Sequence, residues 1–193
     1  MINIGIVTGS IRETRVNLQV AEWVKSFADN KEMEEVNFEI LDIKETGLAN
    51  FNETVPPLMA ETYSTEAQTN WSEKVKKMDG FIFITPEYNK NISSALKDHL
   101  DYLGKEWHHK GAGIVSYGST LGIAASIALR STLSNLKLAV VEPQGAFSLF
   151  NDFENMTTFK PMTVHNVRFS EMIDDVVAWS AALKTVREGA LVK

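Results

Sequence analysis

A doubly wound α/β sandwich, with helices covering both faces of a parallel sheet, is the fold class this sequence predicts. Three observations predict it. Short apolar runs rich in β-branched residues alternate with longer amphipathic segments along the 193 residues. Ile4-Gly5-Ile6-Val7, Phe81-Ile82-Phe83-Ile84 and Ala139-Val140-Val141 are apolar at consecutive positions, as strands buried on both faces are. Five such runs occur, and right-handed crossovers leave few ways to arrange five parallel strands.

The strand candidates are residues 3–7, 36–42, 80–85, 113–117 and 137–142. Between them, Val20, Val24, Phe27 and Ala28 share one helical face. Residues 61–78 form a less regular helix. Ile92, Leu96, Leu100 and Leu103 make a second stripe, with Asn91 as its cap. Residues 121–136 read as a further helix, and Ile173, Val176, Val177 and Leu183 mark the last, capped by Ser170 before Glu171. Residues 44–60, with Gly47, Pro56 and Pro57, form a long loop. No repeat, linker or low-complexity tract interrupts residues 1–193, so one domain is expected. The expected architecture is a flavodoxin-like three-layer sandwich with a five-stranded parallel sheet in the order 2-1-3-4-5.

Composition narrows the function. Lys+Arg at 19 against Asp+Glu at 25 gives a net charge of -6, which repels phosphate backbones, and no basic patch compensates. Lys74, Lys76 and Lys77 sit among acids on one solvated helix face. Without cysteine, disulfides, thiolate metal sites and a cysteine nucleophile are excluded. No apolar run approaches the ~18 residues that span a bilayer, and the N-terminus reads as a strand rather than a signal peptide. A cytoplasmic protein that binds neither nucleic acid nor membrane is expected. The adjacent pair His108-His109 and the isolated His99 and His165 show no ligand spacing, so no metal is expected either.

In such sheets ligands bind beyond the carboxyl ends of the strands, where the winding direction reverses. Three loops meet there. The first runs from Thr8 to Asn17 and holds Gly9 for a tight turn, hydroxyls at Thr8 and Ser10, and cations at Arg12 and Arg15. With a helix N-terminus following, these suit a phosphate, and Asn17 can close the loop with its amide. Gly-x-Gly-x-x-Gly and Gly-Lys-Ser/Thr are both absent, which favours one phosphate monoester over a dinucleotide or triphosphate. The second loop, Thr85-Pro86-Glu87-Tyr88-Asn89-Lys90-Asn91, has a proline that fixes the backbone and leaves later N–H groups free, and a ring at Tyr88 to lie beside a planar ligand. The third, Ser116-Tyr117-Gly118-Ser119-Thr120-Leu121-Gly122, has glycines that let backbone amides approach a ligand.

Together the three loops resemble those of the NAD(P)H-dependent FMN reductases, a family that includes quinone, azo-dye and chromate reductases. That family's Gly-Ser-x-Arg-x-x-Ser-x-Asn is matched by Gly9, Ser10, Arg12 and Asn17, with Arg15 in place of the usual serine. Its Pro-Glu-Tyr-Asn is intact at Pro86, Glu87, Tyr88 and Asn89, followed by Ala95-Leu96-Lys97 and Asp101. Lys90 and Asn91 stand where Gly-Ser is common, and a usual double glycine is reduced to Gly122-Ile123. The resemblance covers residues 1–143, and the remainder reads only as helical.

The resemblance implies FMN as cofactor and NAD(P)H as co-substrate. It implies that Ser10, Arg12 and Asn17 hold the phosphate, supported by Arg15 and Thr8. Pro86, Glu87, Tyr88 and Asn89 would line the isoalloxazine edge, and Ser116, Tyr117 and Gly118 its pyrimidine end. NAD(P)H and a small-molecule electron acceptor would use one flavin face in turn, in ping-pong fashion, with no protein acid or base required. Glu87 is expected to face solvent. The chief alternative is a flavodoxin-like electron carrier reduced by a protein partner. Family members are commonly homodimers or homotetramers, and Tyr88, Trp107, Phe147 and Phe150 are candidates for such contacts or for the core.

Overall fold

The computed structural model describes residues 1–189. Strand β1 (Ile2–Val7) pairs in parallel with β2 (Val36–Leu41) on one side and β3 (Gly80–Pro86) on the other. β3 continues to β4 (Gly111–Gly118). The sheet order is β2-β1-β3-β4-β5, the order expected from the alternation of apolar runs.

The fifth strand departs from expectation. Residues 137–142 read as a strand, yet β5 spans only Ala139–Val140, beside Gly111 and Ala112. A separate segment, β6 (Gly145–Ser148), takes up the same edge of β4 from Val115 to Gly118. Pro143 lies in the gap, where a residue without N–H cannot extend the ladder. Beyond β6 a small hairpin forms from β7 (Phe153–Glu154) and β8 (Thr158–Phe159). The sequence read this region only as helical, because its strands are two to four residues long and carry no readable period.

Five helices cover the sheet. Helices α1 (Asn17–Asp29) and α5 (Asn166–Arg187) pack Val20, Val24, Phe169, Met172 and Val176 against Ile4, Ile6, Ile82 and Ile84. On the opposite face, α2 (Glu66–Lys77), α3 (Ser94–Asp101) and α4 (Ile123–Asn135) pack Trp71, Val75, Leu96, Leu100, Leu129 and Leu133 against Val7, Phe81 and Phe83. Alternate residues of β3 thus serve the two cores, as the period of a strand requires. Trp107 and Phe147 are fully buried and belong to these cores, whereas Phe150 is exposed.

Helix starts also differ from the sequence reading. α2 begins at Glu66, where Thr65 Oγ1 accepts from Gln68 N at 3.1 Å. α3 is capped by Ser93 rather than Asn91. α4 begins at Ile123, after a left-handed Gly122. α5 begins at Asn166, so Ser170 lies inside it. Where α5 crosses the sheet, glycines admit it: a Cβ on Gly80 would lie 1.9 Å from Ser180 Oγ.

Lys110 enters β4 from below and is almost fully buried. Its Nζ donates to the Val75 carbonyl at 2.7 Å, at the C-terminal end of α2, where a cation is favoured. Burial, with the nearby Arg187 charge, pushes the ammonium down from 10.5 to about 7. In the unfolded chain it returns to its ordinary value and binds more protons than the folded chain between those limits. Lys110 therefore destabilises the fold fully below about pH 7, and this penalty fades as pH rises toward the unfolded value. The penalty changes by about 1 kcal/mol per pH unit across that window. Urea unfolding at pH 7–10 should show Lys110→Met with a flatter stability profile than wild type; equal slopes would reject the assignment.

Candidate functional site

The loops after β1, β3 and β4 open at one end of the sheet, and a single buried side chain ties them together. Asn17, the first residue of α1, is fully buried. Its Oδ1 accepts from Gly9 N at 2.8 Å. Its Nδ2 donates to the Ile84 carbonyl at 3.3 Å and to Tyr117 Oη at 3.2 Å. One amide therefore reaches the first loop, the end of β3 and the end of β4. The proximity of Gly9 to β3 requires glycine, since a Cβ there would lie 2.1 Å from the Ile84 carbonyl oxygen. Burial pushes the Tyr117 phenol well above its usual range, so it remains a neutral partner for Asn17.

Two serines complete the frame. Ser93 Oγ accepts from Leu96 N at 3.0 Å as the cap of α3 and donates to the Gly9 carbonyl at 2.7 Å. Ser10 Oγ and Tyr88 Oη lie 2.9 Å apart and join the first loop to the second.

The residues expected to hold a phosphate separate into two groups. Arg15 is turned inward, with a side chain only 7% exposed. It donates to the Ser10 carbonyl at 2.8 Å and pairs with Asp42 at 2.5 Å. Thr8 Oγ1 donates to the same carboxylate at 2.8 Å and accepts from Ile43 N at 3.0 Å. Both are committed to Asp42, so Thr8, Arg15 and Asn17 support the loop from beneath. Arg12 is exposed and has no ion-pair partner among the described residues. Helix α1 follows with no side-chain cap on its first turn, which leaves donors for an anion.

The backbone offers more donors. Within the second loop, Glu87 N donates to the Tyr117 carbonyl, and Tyr88 and Asn91 exchange a pair of bonds. Asn89 at φ 50 and Lys90 at φ 67 form the left-handed tip of this two-residue turn. Their amides have no partner among the described residues. The amides of Ser10 and Ile11 in the first loop and of Ser119 and Thr120 in the third are likewise unpartnered among those residues. Ser10 is almost fully buried, and a buried N–H calls for an acceptor. An anion at the first loop meets this requirement, while the amides of Asn89, Lys90, Ser119 and Thr120 belong to exposed residues and are open to a ligand.

Glu87 does not face solvent as expected. Its side chain is 7% exposed, with Oε2 accepting from Ala124 N at 3.0 Å and Ala125 N at 3.4 Å in the first turn of α4. Oε1 accepts from Thr120 Oγ1 at 3.3 Å and lies 3.1 Å from Lys90 Nζ. Burial raises its carboxyl, but the bonds from Lys90, Ala125 and Ala124 outweigh this and hold it below its usual value.

Sequence reasoning missed two members of this frame. Asp42 ends the second apolar run and would have been legible as the partner a buried Arg15 requires. Ser93 precedes Ala95 and Leu96 at the position of a helix cap, a signal obscured by Asn91 nearby.

Residues 2–152 match the sequence profile of the NADPH-dependent FMN reductases. The chain belongs to this family. It is 32% identical over 146 residues to an NAD(P)H-dependent FMN reductase of Nectria sp., covering 74% of this chain and 73% of that protein. It is 29% identical over 184 residues to an NAD(P)H-dependent FMN reductase of Saccharomyces cerevisiae, covering 88% and 94%. The fold is shared with FerB, a flavoenzyme NAD(P)H:(acceptor) oxidoreductase from Paracoccus denitrificans, at 17% identity and TM-score 0.72, covering 94% and 98%. The protein is thus an oxidoreductase that uses FMN, with NAD(P)H as co-substrate.

This FMN reductase carries strained non-glycine residues at left-handed positions in its second and third loops. The third loop holds a left-handed pair at Leu121 (φ 62) and Gly122 (φ 68). The leucine is held there by Ser116 Oγ donating to its carbonyl at 2.8 Å and by its own amide donating to the Gly118 carbonyl. Lys90 takes the left-handed position where glycine is common. Each non-glycine residue in that region costs about 1–2 kcal/mol.

Proposed function

We propose that this reductase carries hydride from NAD(P)H to a small acceptor by a ping-pong mechanism, with FMN seated across the loops after β1, β3 and β4. A quinone, an azo compound, chromate or a free flavin each fits as acceptor. The observation that carries the reading is the convergence on Asn17, which gathers three loops with unpartnered amides at one end of the sheet.

In this reading Ser10 and Arg12 hold the phosphate together with the first-loop amides and the N-terminus of α1. Asn17 and Arg15 keep that loop in shape. The backbone of Pro86 to Asn89 follows the ring edge, with the Asn89 amide as donor, and Ser116 to Gly118 approach the pyrimidine end. FMN, when bound, supplies the two-electron exchange between reductant and acceptor. The protein orients it, aims backbone N–H dipoles at the ring's developing negative charge, and leaves one face open to both substrates in turn. No side chain is needed as acid or base.

A homodimer or homotetramer completes the proposal. Support comes from Ile123 and Ile127, one turn apart on α4 and exposed by 37% and 66%; light scattering decides it. Among the described residues no helix is long and apolar enough to cross a membrane, and we place the enzyme in the cytoplasm, which fractionation checks.

Two measurements test the reaction. NADH or NADPH added anaerobically to the flavin-loaded protein should bleach its visible absorbance without a second protein. A flavin that stays oxidised would favour an electron carrier. Arg12→Ala should weaken FMN binding by about 2 kcal/mol, the range for hydrogen bonds to charged groups, while leaving riboflavin affinity unchanged. Equal FMN affinity would remove Arg12 from the phosphate site.

A further inference from the structure

The Pro-Glu-Tyr-Asn turn holds a carboxylate that reaches across to the third loop and α4. Glu87 belongs to the second loop, yet its protein partners beyond Lys90 lie in the third loop and α4: Thr120 Oγ1, Ala124 N and Ala125 N. Helix α4 has a glycine cap, with no side-chain cap of its own. A carboxylate from a different loop therefore does the capping, where the helix dipole favours negative charge. Lys90 adds to this link, with Nζ 3.1 Å from Glu87 Oε1 and 3.2 Å from Thr120 Oγ1. It does so from a left-handed position at φ 67, which glycine would occupy without strain. Packing brings the same two loops together, since a Cβ on Gly118 would lie 3.2 Å from Glu87 Cβ.

We infer that Glu87 is a positioning residue, assisted by Lys90, that ties the turn after β3 to the first turn of α4 and so sets the gap between the two loops gripping the ring end of the cofactor. The inference rests on the reading above that the isoalloxazine ring lies between these loops. Glu87 contacts no reacting atom in this account. It acts through the unpartnered amides of Asn89, Ser119 and Thr120, whose separation it holds.

FMN and riboflavin share the ring and differ in the phosphate, so titrating both separates this tie from the phosphate loop. Flavin fluorescence quenching should show Glu87→Ala weakening both ligands by the same factor, at least tenfold, unlike Arg12→Ala. Glu87→Gln keeps an amide oxygen for Ala124 N and Ala125 N and should recover affinity to within about threefold of wild type. Lys90→Gly should raise the melting temperature by relieving strain, yet weaken both flavins severalfold by removing the Nζ links. If Glu87→Ala melts lower but binds both flavins like wild type well below its melting temperature, Glu87 is only a structural cap and the inference is overturned. Should Glu87→Ala fail to fold, Lys90→Gly with unchanged flavin affinity and Glu87→Gln with a tenfold loss would each overturn it. Wild-type protein that binds neither flavin would instead defeat the cofactor reading itself.

Discussion

Gly9→Ala is expected to weaken FMN binding about a hundredfold and to lower the melting temperature. The added Cβ would sit 2.1 Å from the Ile84 carbonyl oxygen, and its three nearest neighbours are all backbone atoms of β3, so no side-chain rearrangement makes room. The first loop must lift from the end of β3. That movement breaks the Asn17 bond to Gly9 N and the Ser93 bond to the Gly9 carbonyl. Overpacking of this kind costs roughly 1–3 kcal/mol, and at 1.4 kcal/mol per decade the upper end corresponds to about two decades of affinity. Gly47→Ala is the control. Gly47 is left-handed at φ 70 with nothing within 4 Å of its Cβ direction, so its substitution strains the chain at a position outside the loops after β1, β3 and β4. Flavin titration of both variants checks the pair; Gly9→Ala binding FMN within threefold of wild type would mean the close approach is not needed.

Asn17→Ala should produce the largest loss of stability. It strands Gly9 N, the Ile84 carbonyl and Tyr117 Oη, three groups held at the buried ends of three elements. An unsatisfied buried group costs about 1–3 kcal/mol; neighbouring losses are not additive, and a total of about 3–4 kcal/mol is expected. For a chain of this size that lowers the melting temperature by about 10 °C. Asn17→Asp keeps the acceptor for Gly9 N but removes the donor to Ile84 and adds a buried anion beneath the proposed phosphate. It should melt as low as alanine and bind FMN more weakly still. Circular-dichroism melts decide the first claim, and an alanine variant within 2 °C of wild type would refute it.

Much of this was legible in advance. Consecutive apolar positions such as Phe81-Ile82-Phe83-Ile84 mark a strand buried on both faces, and the order β2-β1-β3-β4 places three loops together. Local chemistry singled those loops out as the candidate site. What the chain did not display was the direction of each polar side chain. Arg12 and Arg15 look alike three residues apart, yet one is exposed and the other is spent on Asp42, a residue 27 positions away. Glu87 seemed free because its partners, Ala124 and Ala125, are backbone amides 37 and 38 residues on. The edge after Pro143 was unreadable for a different reason: strands of two to four residues have no period to detect.

The wiring around Asn17 bears on how the protein acquires its flavin. Loops held by buried bonds to the polypeptide itself meet their ordering entropy when the chain folds, so little is left to be met when a ligand arrives. With these loops as the proposed seat of FMN, the apoprotein is a ready receptor rather than a folding intermediate. Loading becomes a reversible docking step governed by the free FMN concentration, and a molecule that has shed its flavin remains recruitable.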